Sequence, residues 1–471
     1  MSTTLYWNSL VRHGDATLFM AKDSAGKFLA VHGEGEAWDA LEGSVVSLPG
    51  GPVKRCPLTN ANAEAIRGLF PFTRPVSRKG RPFTIGLGDR LGVASAGHIR
   101  LVKGADVFPV LAQQSIRELN LTGRTYQDVL AAAVWAVFQE GYRAGYGADG
   151  DHLKTREEVQ MALDCGFTMI TLDCSEHIRN DFAALPASEL EGHYRALDPG
   201  LRTRLEQEYL DRRFPLDGGQ SISFSASDFQ RIVLVYDDAI RHTIALYDEL
   251  LRGKDVDFEM SIDETLSTTS PEAHYFVARE LQKAGVELIS LAPRFCGEFQ
   301  KGIDYRGELA EFEKEFAVHA VIAKTLGYKL SIHSGSDKFA VFPIIYRETG
   351  KTVHVKTAGT NWLEALRVVA AREPGLFREI LALALARLPE AKQYYHITEN
   401  TANIPEIGAL EDKDLPSLLD QDDARQVLHV TYGQILRDSQ FGNPIFEALD
   451  RYEDAYYAAL EKHIGRHISG D

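Results

Sequence analysis

After Pro82 the chain changes character: short apolar runs that end in polar residues alternate with stretches of helical periodicity. That alternation predicts βα units. Eight runs are predicted as strands, at 83–87, 142–147, 167–172, 256–262, 286–291, 329–332, 353–355 and 427–431. Eight is the number a closed (β/α) barrel requires, so the expected fold class is α/β, a TIM-type (β/α)8 barrel. Helix punctuation agrees with this reading. Thr155 and Glu158 form a capping box for a helix ending near Gly166, and Ser270-Pro271-Glu272 opens one that closes at Gly285. A stripe of Leu309, Phe312, Phe316, Ala320 and Ala323 predicts a helix stopping at Gly327.

The flanking segments break the pattern. Residues 1–80 are rich in Gly and Pro with short alternating stretches, which predicts a small β-containing N-terminal extension before a catalytic barrel over 81–471. After the third predicted strand, residues 175–226 form a helical insertion punctuated by Pro186, Pro199, Pro215 and Gly218-Gly219. An insertion in a βα loop lies over the catalytic face, as a lid or as a decoration without chemistry. Asn443-Pro444 predicts the start of a closing helix that runs towards His467.

Composition narrows the function classes. The 471 residues are 44% hydrophobic and 25% charged, a balance that fits a globular chain with a sizeable core. A formal net charge of −16 argues against nucleic acid or an anionic membrane as partner, yet leaves room for a small anionic molecule held by a few basic groups. No run approaches the ~20 apolar residues of a membrane span. The four cysteines, Cys56, Cys165, Cys174 and Cys296, form no CxxC pair, and no secretory signal is visible. A cytoplasmic location is expected, with self-association into a homo-oligomer as the remaining partner class.

The active site of such a barrel is built at the C-terminal ends of its strands. Nearly all of these ends are ionisable here. His152, His333 and His354 could converge on a divalent transition metal with positions left open for substrate. Asp149, Asp173, Asp263 and Glu264 form a competing, all-carboxylate set for a harder ion. Asp151 and Glu264 could take and give a proton on opposite sides of a ligand, or could orient neighbouring groups. Arg90, Arg294, Lys338 and Lys356 are candidates for a substrate carboxylate, with Asp89 and His429 as further substrate contacts. Cys174 and Cys296 carry no nucleophile motif.

Several of these stretches resemble the tagaturonate/fructuronate epimerases: FTIGLGDRLGVASAGHIRL (83–101), ADGDHLKT (148–155), FTMITLDCSEHI (167–178), SIDET (261–265), LAPRFCGEFQKGIDYRG (291–307), LSIHSGSDKF (330–339) and HVKTAGTNWLEALR (354–367). The resemblance implies a metal-dependent isomerase of hexuronate catabolism. It implies Asp151 as proton acceptor, Glu264 as proton donor, and His152, His333 and His354 as metal ligands. The implied cofactor is a divalent cation, with manganese, zinc, nickel, cobalt and iron all open. A 4-epimerisation inverts a carbon β to the ketone, whose C–H is not acidified by enolisation, so retro-aldol cleavage and re-addition is the expected route. A metal-dependent aldolase, or an epimerase of a related ketose or keto-uronate, is the alternative.

Overall fold

The computed structural model describes residues 3–48, 50–263, 265 and 267–470. The chain opens with five antiparallel strands, β1 (Thr4–His13), β2 (Ala16–Asp23), β3 (Gly26–His32), β4 (Ser44–Leu48) and β5 (Gly51–Cys56), in the order β1-β2-β3-β5-β4. Their alternation buries Leu18, Met20, Leu29 and Val31. The sheet is tied to the end of the chain: Glu453 accepts hydrogen bonds from Tyr6 (2.7 Å), Lys27 (2.5 Å) and Tyr457 (2.5 Å).

Eight parallel strands then close a barrel: β6 (Phe83–Leu87), β7 (Phe108–Ser115), β8 (Gly147–Leu153), β9 (Met169–Asp173), then, beyond a two-stranded hairpin of β10 (Phe214–Pro215) and β11 (Ser221–Ile222), β12 (Asp257–Ile262), β13 (Leu288–Pro293), β14 (Lys329–Ile332) and β15 (Val353–Thr357). The ring closes where Val353 to Thr357 pair with Phe83 to Leu87. Six expected strands fall in place, and two expectations are corrected. The run at 142–147 is the turn after helix Tyr126–Glu140, and β8 starts at Gly147. The run at 427–431 lies in helix Asp422–Val430, buried from Ala424 onwards, where a short apolar run reads like a strand. The second barrel strand is β7, which begins with a proline at its second position and ends in the buried polar residues Gln113, Gln114 and Ser115.

With β7 counted, the 175–226 insertion follows the fourth barrel strand, not the third. It holds helices Ala187–Arg195 and Pro199–Tyr209 and the β10–β11 hairpin, and leads into helix Ala226–Leu246. The predicted caps form as drawn: Thr155 and Glu158 close a capping box, and Ser270 accepts from the Ala273 N–H. Pro444, however, lies inside helix Ser439–Arg451, capped by Asp438, and the closing helix is Glu453–Ser469. Among the described residues no helix is long and apolar enough to cross a membrane.

Candidate active site

Strand alternation sends every second residue towards the barrel axis. In this barrel those positions carry charge: Asp149 and Asp151 on β8, Glu259 on β12, Lys356 on β15, all buried. Lys356 Nζ donates to Asp151 Oδ1 (2.7 Å) and Thr171 Oγ1 (2.5 Å) and lies 2.9 Å from both Asp149 Oδ2 and Glu259 Oε1. One ammonium thus faces three carboxylates. Burial opposes its charge, but the three carboxylates outweigh burial and hold Lys356 protonated well above the usual lysine range. Burial likewise raises Asp149, which stays above the usual carboxylate range. For Asp151 the same penalty is overcome by Lys356 and His152, and its carboxyl sits well below that range.

Above this layer stands a group with the chemistry of a cation site. A bulge between Gly150 and Leu153 ends the regular pairing of β8, and His152 adopts φ 53°, a left-handed conformation that aims its ring into the barrel mouth. His152 Nδ1 donates to Asp151 Oδ1 at 2.9 Å, which fixes the ring. His333, directly after β14, donates from Nε2 to Glu259 Oε1 (2.8 Å). Its Nδ1 is buried without a hydrogen-bond partner, 3.4 Å from Asp263 Oδ2. The His152 and His333 rings are 4.7 Å apart, and His152, His333 and Asp263 offer ligand atoms that all lie within 4.8 Å of one another. Burial disfavours a charged His333, but Asp263 and Glu259 carry its pKa up to about 10, the response of an imidazole set among carboxylates. Two imidazoles and a carboxylate, with an orphaned nitrogen among them, fit a divalent transition metal.

The structure therefore draws from both ligand sets. His354 lies one inward position deeper than Lys356, with Nδ1 2.8 Å from Thr84 Oγ1 and Nε2 without a partner, outside the group of three. Asp173 accepts from the Ser175 N–H and faces Lys154, and Asp149 belongs to the Lys356 cluster. Glu264 lies outside the described residues.

One cavity joins Asp151, His152, Asp263 and His333 to a basic wall of Arg90 and Lys301. Arg90 is buried and held flat: Nε donates to Glu118 (2.9 Å) and the guanidinium stacks 3.9 Å from the centre of the Tyr432 ring. Asp89 has a different task, accepting from the N–H groups of Leu91, Gly92 and Ala94 and so folding the loop that carries Arg90. His429 lines the cavity from helix Asp422–Val430, packed so closely on Gly359 that a Cβ there would stand 1.8 Å from its Nε2. Arg294 borders an adjoining groove. Lys338 is fully buried and donates to the carbonyls of Gln300, Ile303 and Ser336, behind the residues that line the cavity and not among them.

Several site residues escaped the reading of strand ends. Glu259 sits inside β12, and its signal is the alternation Asp257-Glu259-Ser261 within an otherwise apolar run. Lys301 and Tyr395 lie on irregular segments that no periodicity marks. Gly86 belongs to the same layer, because a Cβ there would meet Gln113 Oε1 at 1.6 Å.

Known proteins resemble this chain along nearly its whole length. The tagaturonate epimerase family profile matches residues 6–470. A tagaturonate/fructuronate epimerase from Thermotoga maritima is 41% identical over 467 residues, covering 98% of this chain and 96% of the relative. The native crystal structure of the fructuronate-tagaturonate epimerase UxaE from Cohnella laeviribosi superposes with a TM-score of 0.97 at 48% identity, covering 100% of this chain and 96% of that one. A glycerol complex of the same enzyme gives 0.96 at 48% identity, covering 99% and 96%. Matched along nearly its whole length, the chain belongs to the tagaturonate epimerase family of carbohydrate isomerases.

Proposed function

We propose that this chain interconverts D-tagaturonate and D-fructuronate in cytoplasmic hexuronate catabolism, with a divalent cation held by His152, His333 and Asp263. The observation that carries the reading is a single cavity lined by a cation-binding group, an ionised carboxylate and a buried arginine. When bound, the ion would supply Lewis-acid stabilisation of developing oxyanions and a template for substrate oxygens.

The protein's own groups account for the remaining requirements. Asp151, kept ionised by Lys356 and His152, accepts the proton of the C4 hydroxyl. The electron pair of that O–H bond forms the C4 carbonyl, the C3–C4 bond breaks, and its electrons enter a three-carbon enediolate. The aldehyde turns, the enediolate adds to its other face, and the C3–C4 bond forms again with O4 inverted. Glu264, the neighbour of Asp263 in sequence, is the residue assigned to return a proton to O4. Arg90 meets the C6 carboxylate through a guanidinium fixed by Glu118 and Tyr432, so the fragment that turns stays anchored at one end.

The test follows tagaturonate by NMR with metal-loaded protein in D2O. Fructuronate appears with hydrogen retained at C4, and Asp151→Asn and Glu264→Gln each lose at least about 100-fold in rate. Deuterium at C4 would exclude the retro-aldol route, and net release of the two three-carbon fragments would make the protein an aldolase.

A further inference from the structure

Asp337, Arg425, His463 and His467 form a second polar cluster, outside the residues that line the cavity. Asp337, on the loop after β14, has φ 64°, a left-handed conformation unusual for a side-chain-bearing residue. Its Oδ1 accepts from His463 Nε2 (2.6 Å), its Oδ2 pairs with Arg425 NH2 (2.9 Å), and its N–H donates to His467 Nε2 (3.0 Å). Asp337, His463 and His467 have the donor types of a cation site. Their ligand atoms are already engaged, however: the guanidinium occupies one carboxylate oxygen and the backbone N–H occupies the His467 nitrogen.

What the cluster joins is the wall of the active-site cavity. The loop of Asp337 also carries His333, Ser334 (φ 50°) and Ser336, all lining the cavity. Arg425 stands one helical turn before His429 and donates from Nε to Gly302 O (2.7 Å), next to Lys301. Lys338, the next residue, binds the carbonyls of Gln300 and Ile303 on either side of that same segment. His463 reaches Glu364 (3.4 Å) on helix Thr360–Arg372, whose N-terminal Gly359 also lines the cavity. Left-handed backbone at two non-glycine positions persists only where the surroundings over-determine it.

We propose that Asp337 is a positioning residue, through which the closing helix and Arg425 hold the His333 loop and the Lys301 segment in the geometry the reaction needs. This rests on the metal-dependent epimerase reading given above, and the test separates the two. Full-length wild type, His463→Leu and His463→Gln are stripped of metal and titrated with Co2+, with the visible d–d spectrum and tagaturonate turnover followed together. The glutamine amide still donates to Asp337, and leucine does not.

The expected result is a 10–100-fold loss of Co2+ affinity and at least about a tenfold loss of kcat in His463→Leu, with His463→Gln within about threefold of wild type. Asp337→Asn, which removes the charge opposite Arg425, is the second probe and replaces His463→Leu if that variant does not fold. Wild-type spectrum, affinity and kcat in either variant would overturn the proposal, even if the melting temperature falls. So would two Co2+ per wild-type chain with one lost in His467→Gln, because the cluster would then be a metal site. Absence of Co2+ uptake by wild type would refute the metal reading alone; the leucine–glutamine contrast in kcat would still decide the role of Asp337.

Discussion

Lys356 Nζ and Asp151 Oδ1 are 2.7 Å apart inside the barrel, and Asp149 and Glu259 both stand within 2.9 Å of the same nitrogen. Removing that ammonium leaves three buried carboxylates without their shared cation. Lys356→Met is expected to lose about 3–5 kcal/mol of stability, the usual consequence of breaking a buried ion pair from one side. Because Lys356 lowers the Asp151 pKa, its loss raises that pKa, so the acid limb of the pH–rate profile moves to higher pH. Denaturant melts and kcat/KM against pH check both, and an unmoved acid limb would detach Lys356 from Asp151.

The three-membered cation group makes a prediction that separates His354 from His333. Asp263→Ala and His333→Ala are expected to lower affinity for a divalent metal by at least about tenfold, whereas His354→Gln keeps one ion per chain. Metal analysis after dialysis against graded chelator is the measurement. Loss of the ion in His354→Gln with retention in Asp263→Ala would reverse the assignment.

Arg90 is held flat in the cavity wall between the Glu118 carboxylate and the Tyr432 ring. A double variant, Arg90→Met with Glu118→Gln, avoids an unpaired buried carboxylate and isolates the substrate contact. It is expected to lose about 2 kcal/mol of substrate recognition, some thirtyfold in kcat/KM for tagaturonate, and far less for a ketohexose without the carboxylate. Equal losses on both sugars would remove Arg90 from carboxylate recognition.

The junction of the N-terminal sheet with the closing helix sets acid stability. Burial would raise the Glu453 pKa, but Lys27, Tyr457 and Tyr6 outweigh it and pull the carboxyl down from 4.5 to about 2. A depressed folded-state pKa contributes stability that is complete above the unfolded value and fades as pH falls through the folded one. Wild type should exceed Glu453→Gln by roughly 2 kcal/mol above pH ~5, with the difference shrinking towards pH ~2. Urea melts across that range test the sign, and a gap that widens towards acid would contradict it.

Much of this architecture was legible because helix stops and strand ends are local signals. Thr155, Ser270 and Gly327 act through their own turn, so spacing alone places them. The expected and observed barrels both have eight strands because two differences cancel: β7 is hidden by its polar buried end, and the run with His429 reads as a strand because an apolar run buried all round in a helix has no distinguishing period. In the site, Asp151, His152 and His333 were readable at strand ends. The sequence groups Asp263 with other carboxylates and the fold brings it beside imidazoles, since only folding reveals which strand ends meet. Lys338 and Arg294, equally basic on paper, differ from Arg90 in what surrounds them, which no single sequence displays.

The counter-ion for β8 and β12 sits on β15, the last strand of the ring. A growing chain that ends before residue 356 holds Asp149, Asp151 and Glu259 without their cation, and the barrel cannot close around them at low energy. Ring closure during synthesis therefore waits until just over three quarters of the chain has emerged, and truncations short of β15 should be substrates for chaperones and proteases in place of stable half-barrels.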